Sequence, residues 1–262
     1  MPRMSMPSAV LIALLAISGS AAAAAPYIGV APQGQTDAAK SVVRNTCSGC
    51  HGMHGHAVSP TFPNLAGQNY NYLLKQLEDF RSGAWHASPM SGMVKTVPRA
   101  KNDQNLKNLA AYFSAQTPDR TSGGGSKLDK SLLAHGHRIF EQGVRKENVP
   151  ACAACHMQNG TGIAPMAVPR LAGQNAKYLA QQLDQFASGK RSNSPHRVMH
   201  LIAGRLGADE IHAVSAYLQD LRPPRMPGAG PSTYAALVRQ AQRDPVPGIP
   251  PAAIRGNSRD GG

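Results

Sequence analysis

Residues 47–51 read Cys47-Ser-Gly-Cys50-His51 and residues 152–156 read Cys152-Ala-Ala-Cys155-His156; together they hold all four cysteines of the 262-residue chain. Three chemistries compete for such pairs. A disulfide closed over two residues constrains almost no chain entropy and behaves as a redox motif, not as a staple. Zinc would need the two pairs to converge, and it gives no reason for a histidine directly after each second cysteine. Covalent haem attachment accounts for every position: two thiols add across the porphyrin vinyl groups, and the adjoining imidazole meets one face of the iron. The motifs therefore predict two covalently bound haem c groups, attached through Cys47, Cys50, Cys152 and Cys155, with His51 and His156 as iron ligands.

The surroundings of the motif are duplicated as well. Pro63-Asn-Leu-Ala-Gly-Gln-Asn69 returns as Pro169-Arg-Leu-Ala-Gly-Gln-Asn175. Tyr72-Leu73, Gln76-Leu77, Phe80 and Ser82-Gly83 return as Tyr178-Leu179, Gln182-Leu183, Phe186 and Ser188-Gly189. The chain thus contains one module twice. Within each module Leu73, Leu77 and Phe80, or Leu179, Leu183 and Phe186, fall at helical spacing. Leu106, Leu109, Ala110 and Phe113 line a closing helix, matched by Ile211, Val214, Ser215, Leu218 and Leu221. Helices are also expected ahead of each cysteine pair, over 38–46 and 132–142. No stretch alternates as a strand, so the fold class is all-α. The aromatic content of 5% is low for two small cores, a deficit that a buried porphyrin fills.

The domain organisation follows. Residues 1–25 carry a basic start, an apolar run from Ala9 to Ile17 and a small-residue stretch ending at Ala25, the order of a secretory signal peptide. Domain 1 is expected over 26–118 and a Gly-rich linker over 119–131. Domain 2 is expected over 132–222, followed by a Pro/Gly-rich C-terminal tail over 223–262. Export to the periplasm is the expectation. The formal net charge is +13, from 27 Lys+Arg against 14 Asp+Glu. That excess is spread along the chain with no basic run interleaved with aromatics, which speaks against nucleic acid. It suits acidic or membrane-bound redox partner proteins, with no small-molecule substrate.

A haem with one protein ligand is open to small molecules, whereas a second ligand closes it for electron transfer. Candidates precede each closing helix: Met90 and Met93 in module 1, Met199 in module 2. Aligning Met90-x-x-Met93-Val94 with Met199-x-x-Ile202-Ala203 pairs Met90 with Met199 and gives Met93 an apolar packing position. His86, His196 and His200 lie nearby as competitors. Met53, His54, His56 and Met157 are too close in sequence to the proximal histidines to reach the opposite face. They read as loop or surface residues, as do His135, His137 and His212. Tyr72 and Tyr178 are expected to pack on haem or helix, and Trp85, without a counterpart in module 2, to be buried only.

Residues 38–221 resemble the cytochrome c4 family, dihaem periplasmic electron carriers built from two class I cytochrome c domains. The resemblance is carried by Cys47-x-x-Cys50-His51-Gly52, Phe62-Pro63-Asn-Leu-Ala-Gly-Gln68, Tyr72-Leu-Leu-Lys-Gln76 and Leu109-Ala-Ala-Tyr-Phe113 with their second-module counterparts. It implies two tandem class I domains, each enclosing a haem c, and an electron carrier rather than an enzyme, serving respiratory or dehydrogenase complexes. It also implies His/Met ligation of both irons, in agreement with Met90 and Met199. The carbonyls of Pro63 and Pro169 are implied as acceptors of hydrogen bonds from the proximal imidazoles. The chain departs from the pattern in a longer, more basic stretch over 94–102 and in the tail.

Overall fold

The computed structural model describes residues 34–86, 88–97, 103–118 and 129–222. The expected signal peptide, most of the linker, the basic stretch 98–102 and the C-terminal tail lie outside the described residues. Ten α-helices are described: α1 (Thr36–Val42), α2 (Ser48–His51), α3 (Tyr70–Ser82), α4 (Met90–Thr96) and α5 (Asp103–Ser114) in the first module; α6 (Lys130–Gln142), α7 (Ala153–His156), α8 (Ala176–Ala187), α9 (Val198–Ala203) and α10 (Ala208–Asp220) in the second. Among the described residues the only β pairing is an isolated bridge between Val144 and Val149.

Each module closes by crossing its first helix over its last. In module 1, Ala39 and Val43 are buried with Leu106, Leu109 and Phe113. In module 2, Ile139 and Phe140 meet Val214 and Leu218. The second crossing depends on a glycine within the helix. A Cβ on Gly136 would stand 2.1 Å from the carbonyl oxygen of Ala213 and 2.6 Å from Cβ of Tyr217, so only a glycine lets α6 approach α10 so closely. The two modules reach their cysteine pairs differently. Module 1 runs without a break from α1 through a π-helical stretch, Val43–Cys47, into α2. Module 2 leaves α6 at Gly143 and passes through a 3-10 turn, Arg145–Glu147, before α7.

Helix ends follow ordinary chemistry. Asp129 caps α6, its Oδ1 accepting from the Ser131 N–H at 2.8 Å, and the Glu210 carboxylate accepts from the Gly207 N–H at the start of α10. Helix α3 stops at Gly83, φ +84°, and the matching Gly189 after α8 has φ +76°, left-handed turns that cost glycine little.

The modules dock through the duplicated segment itself, and the contacts repeat across a local twofold. Gln174 Oε1 accepts from the Asn64 N–H at 2.8 Å while Gln174 Nε2 donates to the Asn64 carbonyl at 2.9 Å. In the mirrored pair, Gln68 Oε1 accepts from the Arg170 N–H at 2.8 Å and Gln68 Nε2 donates to the Arg170 carbonyl at 2.9 Å. Asn69 Nδ2 donates to the Val168 carbonyl at 2.7 Å, and Asn175 Nδ2 to the Phe62 carbonyl at 2.8 Å. Gln68 and Gln174 are buried, where an amide is stable only if its donors and acceptors are paired. Each satisfies the peptide of the other module.

Candidate functional site

In each module the cysteine pair spans a single helical turn, so both thiols lie on one face with the histidine next in line. All four cysteines are free thiols; Cys50 and Cys155 are exposed, Cys47 and Cys152 half-buried. Burial pushes the Cys47 and Cys152 thiols up to about 11, the behaviour of a thiol facing apolar surroundings rather than a catalytic thiolate. Among the described residues no group of three or more His, Cys, Asp or Glu side chains gathers as a metal cage, so the two pairs do not converge as a shared zinc site requires.

His51 and His156 are buried, 5% and 8% exposed. Nδ1 of His51 donates to the Pro63 carbonyl at 3.1 Å, and Nδ1 of His156 to the Pro169 carbonyl at 3.0 Å. Burial lowers both imidazole pKa values and the proline carbonyls oppose it in part. A neutral ring with Nδ1 committed to a carbonyl leaves Nε2 as its one free lone pair, the state an iron ligand needs. Two thiols one turn apart and an oriented neutral imidazole fit a covalently attached haem in both modules. The loops supplying the carbonyls, 62–69 and 168–175, also make the interface, so one segment orients the proximal imidazole and docks the domain.

Of the methionines expected as second ligands, Met90 opens α4, is half-buried and packs against the first core. Met93 does not take the apolar packing position expected of it. It is 42% exposed, because α4 turns Ser91 and Val94 inward instead. Met199 lies in the first turn of α9, half-buried, its N–H donating to Ser194 Oγ at 3.2 Å. His86 and His196 are exposed, and Nδ1 of His200 is bound to the Phe186 carbonyl at 2.7 Å. His54 is exposed, and His56 half-buried with its Nδ1 unpaired.

The residue after each motif histidine has φ near +65°: Gly52 at φ 68°, ψ 160° and Met157 at φ 64°, ψ 151°. The first case is covered by a glycine; the second places a side chain where glycine is the usual occupant.

Two tyrosines and an arginine complete the region where the modules meet. Tyr72 accepts from Arg191 Nη2 at 3.1 Å. Burial together with the neighbouring Tyr72 raises the Tyr178 hydroxyl pKa. Trp85 is 4% exposed and stacks on Phe80 with ring centroids 4.8 Å apart; it also carries the Arg191 guanidinium, which the sequence did not suggest. Arg170 is a second buried arginine, its pKa lowered by burial to about 10, with Nη1 on the Gly67 carbonyl at 3.3 Å. The polar interface residues were missed as functional; their signal was present, since Gln68, Asn69, Gln174 and Asn175 belong to the most closely repeated stretch.

The cytochrome c family model matches residues 36–116 and again residues 133–222. Over 221 residues the chain is 39% identical to the cytochrome c4 of Azotobacter vinelandii, an alignment covering 80% of this chain and 96% of the relative. It is 35% identical to the thiosulfate dehydrogenase electron acceptor of Stutzerimonas stutzeri strain A1501, covering 67% of this chain and 78% of the relative. The crystal structure of reduced recombinant cytochrome c4 from Pseudomonas stutzeri aligns at 36% identity with a TM-score of 0.64, covering 72% of this chain and all of that one.

Proposed function

We propose, for a chain that belongs to the cytochrome c4 family and is a dihaem electron-transfer cytochrome, that it is an exported, periplasmic carrier passing electrons from a respiratory or dehydrogenase complex to a terminal acceptor. When bound, each haem supplies a one-electron iron couple. The chain's own part is to attach, orient and enclose. Cys47 and Cys50 fix one porphyrin and Cys152 and Cys155 the other. His51 with Met90, and His156 with Met199, would ligate the two irons, the Pro63 and Pro169 carbonyls holding each imidazole in place. A histidine and a methionine held to each iron would favour electron transfer over small-molecule chemistry, in line with a carrier rather than an enzyme. The domain boundaries at 26–118 and 132–222 are kept as the units of this reading.

The observation that carries the reading is the pairing of each motif histidine with a proline carbonyl on the loop that joins the two domains. It treats both haem sites alike and ties them into one body. Among the described residues no helix is long and apolar enough to cross a membrane, as suits a carrier that diffuses between complexes. The net charge of +13 favours acidic faces on those partners.

The test is to express the full chain with a haem-attachment system, release the periplasm by osmotic shock and titrate the purified protein with a reductant. The reading expects the cytochrome in the shock fraction, two haems per chain and two electrons taken up reversibly. Recovery in the cytosol, or one electron per chain, would sink it. Similarity to a relative named as a thiosulfate dehydrogenase electron acceptor supports a second reading, that the chain is the cytochrome subunit or immediate acceptor of a periplasmic dehydrogenase. A comigrating dehydrogenase on mild purification would favour it.

A further inference from the structure

Helices α4 and α9 carry Met90 and Met199 at matching places, but their outer faces differ. In α9 the packed side is made by Met199, His200 and Ala203: Met199 is half-buried, His200 is bound to the Phe186 carbonyl, and Ala203 is fully enclosed. At about 100° of rotation per residue, Val198 and Leu201 straddle the direction opposite to these three. They are 43% and 55% exposed. Their exposure is thus a property of the outer face of α9 and not of the side that carries Met199. In α4 the corresponding positions hold Pro89 and Gly92, so the first module shows no such face.

Cations stand at both ends of this apolar spot. Arg197 precedes α9 and Arg205 follows it, both exposed; the first module has Ser88 and Thr96 there. Arg205 Nη1 donates to the Asn148 carbonyl at 3.1 Å. That bond joins the end of α9 to the turn Arg145–Glu147, whose Arg145 and Lys146 are also exposed. The turn has no counterpart in the first module, where α1 runs without a break into α2. Of the nearby carboxylates, Glu147 lies on the turn itself, Asp209 is in the first turn of α10, and Glu210 is drawn back onto the Gly207 N–H. The approach to α9 is strained as well. His196 and Arg197 have φ 51° and 55°, two successive side chains in the left-handed region, a conformation that persists only where the surroundings hold it and that gathers at functional segments.

Resting on the dihaem reading, we propose that the outer face of α9 is the docking surface for an acidic redox protein, which exchanges electrons with the haem of the second domain rather than the first. Charge selects the occupant. A second copy of the chain brings the same excess of +13, and the residues beyond Arg222 hold five arginines against two aspartates; the cationic rim repels both. A partner with an apolar spot inside an acidic field meets Val198 and Leu201 with the one and Arg197 and Arg205 with the other. An apolar centre inside a charged rim is the usual anatomy of such contacts, and the opposed fields steer the encounter. One helix diameter, about 10 Å, separates the partner from the side of α9 that bears Met199. Each encounter moves one electron between the partner's metal centre and the second haem, the one being oxidised as the other is reduced.

The experiment takes the haem-loaded full chain and, as probe, an acidic blue-copper protein, a one-electron carrier. Haem content and two-electron uptake are checked first, so that a failure of the dihaem reading is separate from a failure of this one. In stopped flow the reduced chain gives one electron to the Cu(II) probe. Leu201→Asp is expected to slow the second-order rate about tenfold at low salt and Arg205→Gln about threefold, while Lys95→Gln on α4 leaves it within about 1.5-fold. Hydroxyl-radical footprinting of the wild-type chain with the zinc-substituted probe, which binds without electron transfer, is the second measurement. It is expected to shield Leu201 and to leave Met93 on α4 open. Unchanged rates in both α9 variants, equal slowing by Lys95→Gln, or no shielding of Leu201 would overturn the proposal. So would a dimer in sedimentation that Leu201→Asp dissociates, or a Leu201 already shielded in the free chain, since the chain itself would then cover the face.

Discussion

Gln68 holds both polar groups of Arg170 at once, its Oε1 accepting from the Arg170 N–H at 2.8 Å and its Nε2 donating to the Arg170 carbonyl at 2.9 Å. The same Oε1 accepts from the Asn69 N–H. Truncating the side chain strands a buried peptide, and an unpaired buried donor or acceptor costs about 1–3 kcal/mol. Gln68→Ala should therefore lose about 3 kcal/mol in urea unfolding, and Gln174→Ala a similar amount by symmetry. A loss below about 0.5 kcal/mol in both would mean that water replaces these bonds and that the interface is not held by them.

A second prediction contrasts the residues after the two motif histidines. A Cβ at Gly52 would stand 2.3 Å from the His56 carbonyl oxygen, at φ +68°. Gly52→Ala should destabilise domain 1 by more than 2 kcal/mol and reduce haem incorporation there. Met157 already bears the strain of φ 64°, so Met157→Gly should stabilise domain 2 by about 1 kcal/mol, the left-handed penalty less the added freedom of the unfolded chain. Thermal unfolding of both variants checks the pair; equal and opposite signs to these would refute the local strain account.

Acid should act through the proximal histidines. Burial lowers the pKa of His51 and His156 below the ordinary value of 6.5. The unfolded chain then binds more protons than the folded one just below that value, so stability falls as pH drops through it. The unfolding midpoint should decline steadily between pH 7 and pH 5. A flat midpoint over that window, with loss only in the carboxylate range, would place the acid sensitivity elsewhere.

How much of this was legible beforehand depends on whether a feature is local. Leu73, Leu77 and Phe80 announce α3 by their own spacing, and Cys47, Cys50 and His51 announce haem attachment within five residues. The proximal bonds to Pro63 and Pro169 came through the family resemblance, and the structure contains both. The docking of the modules was not legible, because Gln68 and Gln174 acquire meaning only when each copy of a segment meets the other. Trp85 and Arg191 were harder still. They share a register but no chemistry, and a search for repeated residues passes over a position where an indole and a guanidinium face each other. The exposure of Met93 follows from which side of α4 packs on the core, which the Met-x-x-Met spacing alone did not decide.

The central claim is that two closed His/Met haem sites are present, using Met90 and Met199. The most direct measurement is the methionine-to-iron charge-transfer band of the oxidised protein, together with carbon monoxide binding to the reduced protein, in wild type and in Met90→Ala, Met93→Ala and Met199→Ala. The account predicts no carbon monoxide adduct in wild type or Met93→Ala. It predicts loss of about half the band and one carbon monoxide per chain in each of the other two. A Met93→Ala protein that loses the band, or a wild-type protein that binds carbon monoxide, would contradict it.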